Sequence, residues 1–179
     1  VTTPAVIQGI YDSGIAEWVR DTPRVMPITE AIHVLGSIAV FGTILIVDLR
    51  LLAVPDLRRS FTRIAREVLP ATWIAFAASA ITGCMMFAAG ATTYFDNTVF
   101  RLKMLALLAA GINMTVFQLL LVRSVARWDQ DVRTPPAVRT AAIVSISLWI
   151  ALIVLGRWIG YTKEYEFVIP ADMQIDFSE

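Results

Sequence analysis

One cysteine and one histidine are all that the chain offers of the two residue types that most often build metal and redox centres. Cys84 alone excludes an intramolecular disulfide and any CxxC site, so cysteine usage says nothing about the redox compartment. A lone histidine, His33, cannot supply a zinc site with the usual ligand count. No P-loop, Rossmann glycine fingerprint or nucleophile elbow occurs. Residues 1–24 lack the unbroken apolar core of a cleavable signal peptide, because Asp12, Glu17, Arg20, Asp21 and Arg24 interrupt it. The first apolar segment is therefore expected to act as its own insertion signal. Low-complexity tracts and strong internal repeats are also missing. Charge is scarce, at 17% of residues, and the two signs balance at 15 each.

What fills the chain instead is apolar. Hydrophobic residues make up 57% of the sequence, and the mean hydropathy is +0.67, well above a soluble domain. The predicted solvent is lipid. A chain of 179 residues has room for about four spans of roughly 20 residues with short connections, and for no separate soluble domain. The expected fold is all-α: an integral membrane four-helix bundle forming a single transmembrane domain, preceded by an N-terminal interfacial helix.

The pattern along the chain sets the boundaries. Residues 4–20 mix Val6, Ile7, Ile10, Ile15, Trp18 and Val19 with polar residues at helical spacing, which predicts a helix lying in the interface. Spans are expected over about 27–54, 69–95, 98–122 and 138–161. A short surface helix is expected over Asp56 to Glu67, and an acidic tail over 162–179. Arginines gather in the first connection (Arg58, Arg59, Arg63, Arg66) and in the third (Arg123, Arg127, Arg133, Arg139). The positive-inside rule then places those loops in the cytoplasm and both termini outside. The tail carboxylates Glu164, Glu166, Asp172, Asp176 and Glu179 agree with that orientation. The arginine loops have no aromatic interleaving, so nucleic acid is not an expected partner. The lipid bilayer is one, and a homo-oligomer or a larger membrane complex is a further expectation.

Ionisable residues inside spans are costly and mark either a site or a partnered structural group. His33, Lys103 and Arg157 each fall about four or five residues inside the outer end of a span. Three different helices thus bring them to one height. One imidazole between two cations suits an anionic or metal-bearing guest, such as a b-type haem with its propionates toward Lys103 and Arg157. The plainer reading is that the two cations snorkel and Glu30 holds His33 in a hydrogen bond. Cys84, Met85 and Met86 lie near the middle of the second span, and Met104 and Met114 on the third, as sources of sulfur. His33 with Cys84, Met86 and Met104 is therefore a candidate Cu(I) set, although methionine is also ordinary core filler. Asp48 and Arg50 read as anchors at the inner end of the first span. Asn113 and Gln118 read as interhelical hydrogen-bonding groups, with Gln118 placed to flank only an extended ligand.

The run His33-Val34-Leu35-Gly36, then Gly42, then Asp48-Leu49-Arg50-Leu51-Leu52, resembles an uncharacterised bacterial family of four-span inner-membrane proteins. Gly156-Arg157-Trp158-Ile159-Gly160-Tyr161 is similar to that family's closing motif. The resemblance covers the chain from about Trp18 to Tyr161 and implies architecture and a bacterial inner-membrane location rather than an activity. A wider likeness runs to the copper-resistance D proteins and to the haem-containing membrane protoporphyrinogen oxidases. It is carried by His33 and Gly42, by Arg58-Arg59 through Thr82-Gly83, and by Lys103. That likeness implies haem or copper as cofactor. Many relatives carry a second histidine in the third span where this chain has Gln118, so His33 would act alone or with Lys103 or a methionine. Three readings follow: a haem site, a copper site, or a non-catalytic subunit without cofactor. Whether the chain is an enzyme is left open.

Overall fold

A computed structural model describes residues 3–53, 60–121, 125–129 and 134–162. Every regular element among the described residues is helical. Four helices are long and apolar enough to cross a membrane, with 27, 29, 23 and 27 residues. At 1.5 Å per residue each reaches or exceeds the roughly 30 Å hydrocarbon layer. They form a helical bundle.

The N-terminal segment is two short helices rather than one. α1 (Ala5–Tyr11) ends at Asp12, and Ser13 caps α2 (Gly14–Asp21) by accepting a hydrogen bond from the Ala16 amide. A serine side chain satisfies an amide that a continuous helix would bond internally, which favours a new start there. α2 is amphipathic: Ala16 and Val19 are fully buried, while Ile15 and Trp18 are exposed. It packs chiefly on the second long helix, and α1 reaches the short helix that follows that one. Arg24 then takes a left-handed backbone conformation, φ 70°, which turns the chain sharply into the first span.

That span, α3 (Val25–Leu51), is closed by Leu52 and by Ala53 at φ 61°, before Pro55 is reached. The second differs more from expectation. α4 (Phe61–Ala89) is one helix in which the basic surface stretch and the span are continuous, and Pro70 lies inside it. Ser60 caps its start through the Arg63 amide. Its end comes at Gly90, where a Cβ would stand 3.0 Å from the Tyr94 ring. α5 (Ala91–Asp96) follows, so residues 91–96 form a separate helix instead of ending the span.

α6 (Thr98–Val116), capped by Asn97, continues as a π-helical turn, Phe117–Leu121. α7 (Val125–Trp128) is a single turn, and α8 (Pro136–Thr162) is the last long helix. The expected tail, including the extended segment Phe167-Val168-Ile169, and the loop arginines Arg58, Arg59, Arg123 and Arg133 lie outside the described residues.

α3 packs most closely on α4, α6 packs on α8, and α3 with α8 joins the two pairs. We call the end that carries α1, α2 and α5 the upper end. α4 and α6 meet there through Phe87 stacked on Phe100 at 5.4 Å, with Tyr94 against both rings. At the lower end Phe61 meets Phe117 and Trp128, each at 5.7 Å. Leu51, Ala65, Val138 and Ala142 complete that lower core. Rings thus close both mouths of the bundle, where backbone approach between α4 and α6 is slight.

Candidate functional site

Helical repeat decides what each span turns inward. On α3 the positions His33, Ser37, Val40, Ile44 and Asp48 recur at three- and four-residue steps and share one face. That face lies on α4, and the contact starts with small residues: a Cβ on Gly36 would come within 3.1 Å of the Ala75 carbonyl and of the Ser79 Cβ. Close backbone approach at this point brings His33 within reach of the α4 main chain.

The imidazole Nδ1 lies 2.8 Å from the Ser79 carbonyl oxygen. A carbonyl oxygen can only accept, so Nδ1 carries the hydrogen, and Nε2 of the neutral ring is left with a lone pair. Among the described residues Nε2 has no hydrogen-bond partner. The Ser79 hydroxyl sits 3.3 Å from Nδ1 and 2.8 Å from the Ser37 hydroxyl. It can also donate to the His33 carbonyl, at 3.4 Å. Gly83, one turn up from Ser79, gives the ring its space: a Cβ there would lie 3.0 Å from Cε1 and 3.2 Å from Nδ1. The stacked Phe87 and Phe100 lie about one further turn up, above Gly83 and Lys103 respectively.

Lys103 is half-buried on α6. Its Nζ lies 3.5 Å from where a Gly156 Cβ would stand, so a glycine on α8 accommodates this side chain. Its charge acts on His33, as does that of Glu30 from the same helix as the imidazole. No hydrogen bond joins Glu30 to His33; the imidazole hydrogen goes to α4 instead.

The other expected site residues do not converge here. Arg157 is exposed, and its guanidinium lies over the Tyr161 ring at 5.1 Å. Gln118 is exposed on the π-helical turn near the lower end, far along α6 from His33. Cys84 and Met104 are exposed, while Met86 is half-buried. Met104 lines an open apolar groove of about 600 Å³ with Leu107, Leu108, Gly111 and Thr115, all on α6. That groove lies along a single helix face and is not a cavity around His33. Among the described residues no three His, Cys, Asp or Glu side chains form a group able to hold a metal ion.

Sequence reasoning passed over Ser37, Ser79, Gly83 and Gly156 as makers of the site. Only Gly83, in the Thr82-Gly83 pair, and Gly156, in the closing motif, carried a signal, through the family likenesses. It also placed Asp48 and Arg50 as anchors reaching headgroups or loop charges, whereas both are buried within the protein. Arg50 donates to the Asp129 carbonyl at 3.0 Å, and Asp48 lies beside the Ser145 side chain of α8. Asn113 does join two helices, through the Ala141 carbonyl at 3.1 Å.

Neither a curated protein nor a solved structure matches the chain. A family of unknown function, DUF6644, matches over residues 25–162, the stretch that opens with α3 and closes with α8. The matched stretch takes in all four long helices, and this chain belongs to the DUF6644 family.

Proposed function

We propose that the protein is a multi-pass protein of the bacterial inner membrane that binds b-type haem in the upper half of its bundle, with His33 as axial ligand. The observation that carries the reading is the orientation of the imidazole. Its Nδ1 hydrogen is fixed on a main-chain carbonyl, the outer-sphere arrangement typical of a ligating histidine. Nε2 is thereby left with its lone pair. Gly83 removes the side chain that would crowd the ring, and Lys103 offers a cation to a propionate. The likeness to the copper-resistance D proteins and membrane protoporphyrinogen oxidases supports the same choice. His33 would hold the group alone, or with Lys103 or a methionine as a second ligand. Haem bound there would supply one-electron chemistry; the chain's own residues orient the ligand and balance charge.

In this reading the upper end faces outward, and both termini lie outside the cytoplasm. Exposed Arg63 and Arg66 at the start of α4, against a short connection at Asn97, support that orientation by the positive-inside rule.

The test is an absorption spectrum of the detergent-purified, unsupplemented protein. The expected result is a Soret band that is lost or shifted in His33→Ala. Copper found by elemental analysis without that band, and lost on replacing Cys84 and Met86, would overturn haem in favour of copper. Absence of both, with His33→Ala indifferent, would leave a non-catalytic subunit.

A further inference from the structure

Asp48 takes no part in the His33 site, and it is a carboxyl group covered by protein rather than by lipid. Its relative exposure is 5%. The Ser145 side chain of α8 lies beside it, and its Oδ2 is buried without a hydrogen-bond partner. No salt bridge among the described residues involves it. Among the described side chains, the charged groups on the surrounding elements face elsewhere. On α3, Arg50 turns to the Asp129 carbonyl. On α4, Arg66 and Glu67 are exposed, as is Arg139 on α8. α6 carries ionisable residues only at Arg101 and Lys103, toward the upper end.

A carboxylate anion so buried, with no counter-charge among the described residues, is among the costliest arrangements a protein can hold. A metal cation does not resolve it. Hard cations take six or more oxygen ligands, and here one carboxyl and one hydroxyl are in place. A proton resolves it with the groups present: the neutral acid carries no charge to be desolvated, and the Ser145 hydroxyl is the polar group beside it.

We propose that Asp48 is a proton-binding site, a carboxylic acid held in its neutral form inside the bundle. This site stands apart from His33. Fifteen residues of α3 separate them, about 22 Å at 1.5 Å per residue. Val40, at 1% exposure, and Leu152 close the interval between them. The lower end of α3 is nearer: Leu51 is three residues away, roughly 4.5 Å along the axis.

Infrared spectroscopy of the full-length protein in detergent at neutral pH tests this directly. The expected result is a C=O stretch of a protonated carboxyl group that is absent in Asp48→Asn, an isosteric change, and displaced in Ser145→Ala. No such band in the parent protein, or a band that persists in Asp48→Asn, would overturn the proposal. Should Asp48→Asn fail to fold, a band unmoved by Ser145→Ala overturns it equally. The measurement is independent of any Soret band, so its failure is separate from failure of the haem reading.

Discussion

Between the α4 backbone and the His33 ring, Gly83 leaves room for no side chain. Alanine there would bring its Cβ to 3.0 Å from the ring, so the imidazole must move and its bond to Ser79 must stretch. Overpacking of this kind costs about 1–3 kcal/mol. Gly83→Ala is expected to lower the unfolding temperature in detergent and, under the proposed haem binding, to displace the Soret band. Ser79→Ala is the contrasting change, because the carbonyl that holds His33 belongs to the main chain and survives it. It removes only hydroxyl contacts, worth about 1 kcal/mol, and the band should stay where it is. The sequence marked His33 and Lys103 because an ionisable group in lipid is conspicuous. Their neighbours were invisible because serine and glycine in a span read as ordinary packing. Arg157 was misjudged for a different reason. Counting residues from a span's end gives height but not direction, and Arg157 follows Gly156, the residue that faces Lys103. One step along a helix turns a side chain by about 100°, which carries the guanidinium out to Tyr161.

The elements were legible wherever hydropathy decides and illegible wherever capping does. All four spans follow from apolar runs. The join between the basic stretch and the second span does not, since main-chain hydrogen bonds run on from Phe61 to Ala89 whatever solvent surrounds them. Ser60 begins that helix, and replacing such a cap by alanine costs about 0.5–2 kcal/mol. Ser60→Ala should therefore lower thermal stability measurably while leaving helix content by circular dichroism unchanged. Ala53 offers the opposite test. It holds φ 61° just beyond the end of α3, a conformation in which glycine avoids a steric cost of roughly 1–2 kcal/mol. Ala53→Gly is expected to raise the unfolding temperature, and no rise would show that the left-handed turn is not retained in the membrane.

At the scale of the molecule, the polar ends and the aromatic closures define how the bundle sits and holds. Thr93 and Arg63 are exposed at opposite ends. In a Cys84→Ser background, cysteine at position 93 should react with an impermeant thiol reagent on intact cells. Cysteine at position 63 should react only after the membrane is opened, and the reverse pattern would invert the proposed topology. The lower closure depends on Phe61, buried against Phe117 and Trp128. Truncating a buried phenylalanine costs about 3–5 kcal/mol, so Phe61→Ala should be the most damaging of these changes in a thermal melt. Overall class and span count came from composition alone. The pairing of helices did not, because it depends on which small residues let two backbones touch, as Gly36 does against Ala75.

The stem of His33 belongs to one helix and its anchor, the Ser79 carbonyl, to another. Any sliding of α3 along α4 must therefore tug the ring, since the Ser79 end of the linkage is main chain and cannot yield by rotating a side chain. A chromophore attached to the opposite ring nitrogen, Nε2, would act as a strain gauge, its colour reading out the register of two helices.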